Sequence, residues 1–142
     1  NDMYSKEFDE LNYWLGPDEG SNWNEYIAEQ VAKGVLEKFS MEDWKELNSS
    51  ILSKAKYWQE RSAAALGEQR SASAIEILKK LLDSQYKEVL IATASELDWT
   101  ETPIEKTYAD KIKRIISSLS EEELESCPEL TNLLLKAQNS KI

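Results

Sequence analysis

The sequence predicts an all-α fold in which helix pairs stack on one another, and three observations carry that expectation. Only three prolines and four glycines interrupt 142 residues, so helix breakers are few where Ala, Leu, Glu and Lys are plentiful. Apolar residues recur at helical spacing, and even Val89-Leu90-Ile91, the most strand-like run, lies inside a helically periodic segment over residues 86–97. The third observation is an internal echo. Ala63 and Ala94 differ by 31, as do Leu66 and Leu97, and Trp58 and Val89; the same step backwards reaches Ala32, Val35 and Ile27. It also carries Ile75, Leu78 and Leu82 onto Trp44, Leu47 and Ile51. A helix, a tight turn and a second helix with Ala and Leu near its end therefore recur, and such units bury their faces by stacking on their neighbours. Alanines at matched sites permit the close helix approach that a stack requires.

About eight helices are expected in one domain spanning residues 1–142. The first covers residues 3–15, with Tyr4, Phe8, Leu11 and Leu15 on one face, and Gly16-Pro17 stops it. Residues 18–22 form a polar, acidic loop. The second helix, residues 23–39, takes Ser21 or Asn22 as its cap and carries Ile27, Val31, Val35 and Phe39. Ser40 and Asp43 then form a capping box for a helix over 41–52. Helices follow at 55–66, 73–82 and 86–97. Residues 99–103 break the chain, with Pro103 placed in the first turn of a helix reaching Leu119. Ser120 and Glu123 open a short helix by a second capping box, Pro128 restarts the chain, and residues 130–137 precede a polar tail expected to fray. Beyond residue 97 the echo blurs, because a step of 31 from Ile75 lands on Lys106 while the apolar residues are Tyr108, Ile112, Ile115 and Ile116. An insertion near residues 100–103 would account for this.

A chain of this size buries roughly 68–70% of its unfolded surface and needs no metal or disulfide staple. Cys127, the single cysteine, has no internal partner. No basic stretch leads into an apolar one at the start, and no apolar run approaches the ~20 residues of a membrane span. A reducing cytoplasm is the expected compartment. Charge narrows the partners: 27 acids against 17 bases, with no histidine, give a net charge of -10. Such a field disfavours nucleic acid and anionic membrane and favours a basic protein partner. The asymmetry is sharpest over residues 1–32, where Asp2, Glu7, Asp9, Glu10, Asp18, Glu19, Glu25 and Glu29 face Lys6 as the only base.

Catalysis has little to work with. Without histidine there is no Ser-His-Asp or Cys-His constellation and no His-ligated metal. The glycines at 16, 20, 34 and 67 fit neither a phosphate loop nor a dinucleotide fingerprint. Asp18, Gly20 and Asn22 resemble a calcium loop only faintly and read better as turn residues. Glu121, Glu122 and Glu123 complement a helix N-terminus, and Cys127 reads as a small packed residue. No catalytic residue, metal ligand or cofactor is expected.

The segments around Trp58, Arg61, Ala63-Ala64-Ala65-Leu66-Gly67, Ala74-Ile75, Leu78, Leu81-Leu82-Asp83 and Val89 to Leu97 resemble the HEAT-like helical repeat. The match is clearest within residues 41–97. It departs from the pattern in Asp83-Ser84-Gln85, where Asp-Pro is usual, and in Leu90, where an arginine is often found. The resemblance implies an α-solenoid. Size, acidity and the Leu66-Gly67-Glu68 region are also similar to all-helical immunity proteins of bacterial polymorphic toxin and contact-dependent growth inhibition systems. That resemblance implies a protein that binds the C-terminal domain of a cognate toxin, often a nuclease, and covers its basic groove. The alternatives are a HEAT-type adaptor with another cytoplasmic partner, or a carboxylate-metal enzyme.

Candidate partner-binding residues follow from aromatic and acidic positions near helix ends and on outward faces. Trp44 and Trp58 occupy repeat positions and are expected in the core. Trp14, Trp23 and Trp99 lie at helix ends beside acids, either as interface anchors or as lids on core corners. Asp18 and Glu19 in the loop, together with Gln59, Glu60, Glu88, Glu96 and Asp98 on the second helices of each pair, complete the expected contact face.

Overall fold

Ser5 starts the first helix by accepting a hydrogen bond from the Phe8 N–H at 3.0 Å, the side-chain cap that the orphaned first-turn donors require. The computed structural model describes residues 4–142, so the expected start at Met3 lies outside the described residues. Among the described residues there are nine α-helices and no strand. Helix α1 (Lys6–Leu15) buries Phe8, Leu11 and Leu15. It ends at Gly16 with φ +85°, a conformation that glycine adopts without steric cost. A Cβ there would also stand 2.0 Å from the Ser21 hydroxyl oxygen, so the following loop closes directly over this residue.

Helix α2 (Glu25–Gly34) is shorter than its apolar pattern suggests at both ends. Asn24, rather than Ser21 or Asn22, is the cap, its side-chain oxygen accepting from the Ile27 N–H at 2.9 Å. At the other end Gly34, a poor helix former, closes the helix. A 3-10 turn, Leu36–Lys38, follows and directs Leu36 into the core at 1% exposure. Helix α3 (Met41–Ser50) opens with the expected Ser40/Asp43 capping box. Helix α4 (Lys56–Gln69) runs beyond Leu66 through Gly67 and stops at Arg70, whose φ is +62°. Helix α5 (Ala72–Lys80) is capped by Ser71, and α6 (Lys87–Trp99) follows. Both α3 and α5 tighten into a 3-10 turn, Ile51–Ser53 and Leu81–Asp83.

The largest departure lies after α6. Residues 102–105 are not helical, and Pro103 precedes a 3-10 turn (Lys106–Tyr108) instead of occupying the first turn of a helix. Ile104, 1% exposed, is drawn into the core in this segment, and the residue before a proline is itself disfavoured in the helical region. Helix α7 (Ala109–Ser117) then begins, α8 (Glu121–Glu125) has the expected Ser120/Glu123 capping box, and α9 (Pro128–Gln138) carries proline in its first turn. In the polar tail the backbone oxygen of Ile142 accepts from the Lys106 N–H at 3.0 Å.

Helix α4 packs between α2 and α6, and α6 in turn packs against α9. Helices α3 and α5 pack on each other, α5 also touches α4 and α6, α7 lies on α9, and α1 touches α2 and α4. Three sets of positions related by 31 are interior: Ile27, Trp58 and Val89; Ala32, Ala63 and Ala94; Val35, Leu66 and Leu97 are each 9% exposed or less, while in the other set Trp44 is only partly buried. Burying each large apolar member contributes roughly 1.5–3 kcal/mol. Ser62 and Thr93, also 31 apart, bury hydroxyls that have no hydrogen-bond partner among the described residues. Trp58 is 4% exposed, and its indole N–H donates to the Asn12 side-chain oxygen at 3.2 Å. Trp44 packs half-buried, edge-on to Phe39 with ring centroids 5.0 Å apart.

No helix among the described residues is long and apolar enough to cross a membrane. Leu66, fully buried where α4 meets its neighbours, gives a direct test of the packing. Leu66→Ala should lower stability by about 2–5 kcal/mol in chemical denaturation, whereas Leu135→Ala, at a position 52% exposed, should change it by roughly 0.5 kcal/mol or less.

Candidate functional site

Residues four apart on a helix share a stripe, and on α4 the stripe facing away from the core reads Lys56, Glu60, Ala64 and Glu68. The alanine leaves a depression between two acids. Across it, the start of α2 brings Trp23 and Tyr26, and α6 brings Glu96, to form a groove of about 610 Å³ with Ala28 and Ala64 among its lining residues. Glu25 and Glu29 extend the acidic character along α2. Among the described residues, Glu29 alone of these acids has a lysine partner, Lys33 at 3.2 Å, in an exposed pair.

Arg61 positions the aromatic end of this groove. Its side chain is buried, and its guanidinium donates to the Leu15 carbonyl at 2.8 Å, the Glu19 carbonyl at 2.9 Å, and the carbonyl and hydroxyl of Ser21 at 2.9 and 2.7 Å. The planar group also lies over the rings of Trp23 and Tyr57, 5.7 and 5.2 Å from their centroids, an arrangement that lysine could not reproduce. Tyr57 adds a hydroxyl bond to the Gly16 carbonyl at 2.9 Å. The loop after α1 is therefore a fixed structure. Within it, Asp18 turns inward on its own backbone, accepting from the Gly20 N–H at 2.9 Å, while the Glu19 side chain remains exposed.

Glu96 owes its place to Gly67. A Cβ at position 67 would stand 1.9 Å from the Glu96 Oε1, so the carboxylate rests on the bare backbone of α4. Burial there, and the adjacent Glu68 carboxylate, push Glu96 up to about 7 against the pull of Arg70. Glu60 is also raised, first by burial and further by Glu88 and Glu19, with Lys56 and Arg61 opposing. Glu60 thus has Glu19 and Glu88 as acidic neighbours. Lys56 lies 3.7 Å from Glu88 in an exposed pair, which solvent makes weak.

The expected contact residues consequently divide. Trp23 and Glu96 share the groove, and Glu19, Glu60 and Glu88 form an acidic strip related to it through α4. Asp98 and Trp99 lie apart, beside Glu101, Glu129 and Asn132 near the start of α9. Trp99 is 67% exposed, and Asp98 accepts a long bond from Asn132 at 3.4 Å. Trp14 stands on α1, 37% exposed and edge-on to Tyr13. Gln59 must be corrected. It is 0% exposed, because its amide donates to the Leu52 and Lys54 carbonyls at 3.3 and 2.9 Å and accepts from the Ser84 hydroxyl at 2.7 Å. A polar side chain that closes the interior turns of two helix pairs is structural, not a contact.

Sequence reasoning passed over Tyr26, Ala64, Glu68 and Arg61. The spacing of Glu60, Ala64 and Glu68 was a usable signal on α4, but nothing local indicated that Arg61 reaches a loop 40 residues away. Among the described residues no group of three or more His, Cys, Asp and Glu is placed to hold a metal ion. Cys127 is 2% exposed and burial pushes its thiol up, which leaves it poorly suited to nucleophilic work. Comparison with protein-family models, curated proteins and solved structures gives no significant match.

Two outcomes test this geometry. Arg61→Lys keeps the charge but loses the fork, and should cost about 1–3 kcal/mol with faster amide hydrogen exchange at Ser21; unchanged exchange would contradict the clamp. Glu96 binds its proton more tightly folded than unfolded, so its favourable contribution is complete below about pH 4.5 and is lost as pH rises through about 7. Relative to the parent, Glu96→Gln should therefore gain on the order of 1 kcal/mol between pH 5 and pH 8 after allowance for solvent screening. Denaturation midpoints that shift in parallel for both proteins would show that the carboxylate is not desolvated.

Proposed function

We propose that this chain acts by stoichiometric protein binding, as an immunity protein that neutralises a cognate bacterial toxin domain by covering a basic active site or substrate groove. The observation that carries this reading is the acidic, aromatic-lined groove shared by α2, α4 and α6, on a chain whose net charge is -10. A nuclease collects positive charge where it holds phosphates, and a preformed acidic surface competes for that charge while steering association. Aromatic groups beside the acids supply desolvated contact area, and the acids select the partner.

The scaffold supports the same reading. Positions 31 apart are buried alike on α2, α4 and α6, and α3 and α5 close with the same 3-10 turn. We read these as HEAT-like helix pairs, the last formed by α7 and α9 with α8 inserted between them. In such a stack the second helices line one face, which places successive acidic stripes side by side.

The test pairs this chain with toxin domains made by its own cells, beginning with any encoded beside its gene. A one-to-one complex and restored growth of toxin-producing cells are expected. Glu60→Lys with Glu68→Lys should weaken the complex by about tenfold or more at about 0.15 M salt and abolish protection while leaving the fold intact. Failure to bind or neutralise any of them would overturn the immunity reading.

A further inference from the structure

The groove contains more information about its occupant than net charge alone. Glu68 and Glu96 are neighbouring carboxylates, and Glu96 is held half-buried on α4 with burial and Glu68 both opposing its charge. None of the ion pairs found among the described residues involves Glu68 or Glu96; the one on the groove wall joins Glu29 to Lys33 along α2. Gly67 in the interior of α4 makes this seat possible, although glycine there weakens a helix by roughly 1 kcal/mol relative to alanine. A half-buried acid beside Glu68, with Arg70 as its only opposing charge among the causes that shift it, on a helix weakened to admit it, is unfavourable for the free protein. A cation from outside would relieve it.

The walls specify which cation. Tyr26 is 69% exposed, and Ala28 and Ala64 offer small apolar surface beside it. Arg61 already occupies one side of Trp23, which leaves Tyr26 as the open aromatic face. Aromatic and alanine walls suit an organic cation better than a metal ion, and among the described residues no group of three or more His, Cys, Asp and Glu is placed to hold a metal. An ammonium group is compact and strongly hydrated, whereas a guanidinium stacks on an aromatic face and forks onto carboxylates. The volume, about 610 Å³, falls within the roughly 300–1,000 Å³ of ligand pockets, enough for a long side chain and its flanking peptide.

We infer that the groove seats an arginine side chain of the partner protein, its guanidinium on Glu68 and Glu96 and against Tyr26, its aliphatic stem along Ala28 and Ala64. This rests on the groove being the partner-binding surface. It goes further in assigning one residue type to one pocket, where general acidity would accept any basic segment.

The experiment uses hexa-arginine and hexa-lysine peptides titrated into the isotopically labelled full chain at about 0.15 M salt. Hexa-arginine should shift the amide resonances of Tyr26, Ala64, Glu68 and Glu96, and hexa-lysine should bind at least about threefold more weakly. Glu68→Gln with Glu96→Gln should weaken hexa-arginine by about tenfold. Gly67→Ala, which displaces Glu96 without altering any charge, should weaken it severalfold. Shifts centred on Glu121, Glu122 and Glu123, equal affinity for the two peptides, or affinity unchanged in both variants would overturn the assignment. The two readings fail separately: a neutralised toxin domain whose binding is indifferent to Glu68→Gln and Glu96→Gln overturns the arginine seat alone. Arginine-selective binding in the groove with no toxin neutralised supports the seat and removes only the immunity reading.

Discussion

The structure depends on the packing of α4 between α2 and α6. Ala63 and Ala65 on α4 are 0% exposed, as is Ala94 on α6, with Ala32 on α2 at 1%. Small side chains at these places let neighbouring helices approach closely, and close approach sets the distance at which every other side chain on the three helices must fit. A helix flanked in this way buries polar residues along with apolar ones. On α4 those are Gln59, Arg61 and Ser62, and buried polar groups must find partners or cost free energy.

How Gln59 and Arg61 meet that demand accounts for much of the remaining architecture. Gln59 joins the turn after α3 to the turn after α5 through the Leu52 and Lys54 carbonyls and the Ser84 hydroxyl. Arg61 does the same for the loop between α1 and α2, entirely through neutral acceptors and aromatic faces. The two residues are near neighbours on α4, yet they hold different loops.

Outside that interior, α4 presents acids to solvent, and the groove exists because the exposed stripe is interrupted by Ala64 while Gly67 admits Glu96 from α6. The groove and the core therefore share one cause. Close packing of small residues inward brings α2 and α6 near enough for their outward side chains to converge around one depression. Helix propensity and the placement of Glu96 pull against each other most plainly at Gly67, where alanine would favour the helix but displace the carboxylate.

The sequence alone determined the helical class, most helix positions and much of the apolar interior, because helical periodicity and capping chemistry are local: Ser40 with Asp43, Ser120 with Glu123, and Pro128 at a first turn all act within one turn of the chain. The 31-residue echo likewise anticipated which residues of α2, α4 and α6 are buried. Tertiary structure decided what depends on contacts between distant segments. Ile104 drew residues 102–105 out of a helix, Gln59 turned from an outward candidate into an interior clasp, and Arg61 reached the loop after α1. Of the residues expected to meet a partner, Trp23 and Glu96 converged on the groove, while Trp14, Asp98 and Trp99 lay elsewhere. Periodicity says which side of a helix is polar, but only the packing of its neighbours says whether a polar side chain faces water, another turn or a groove.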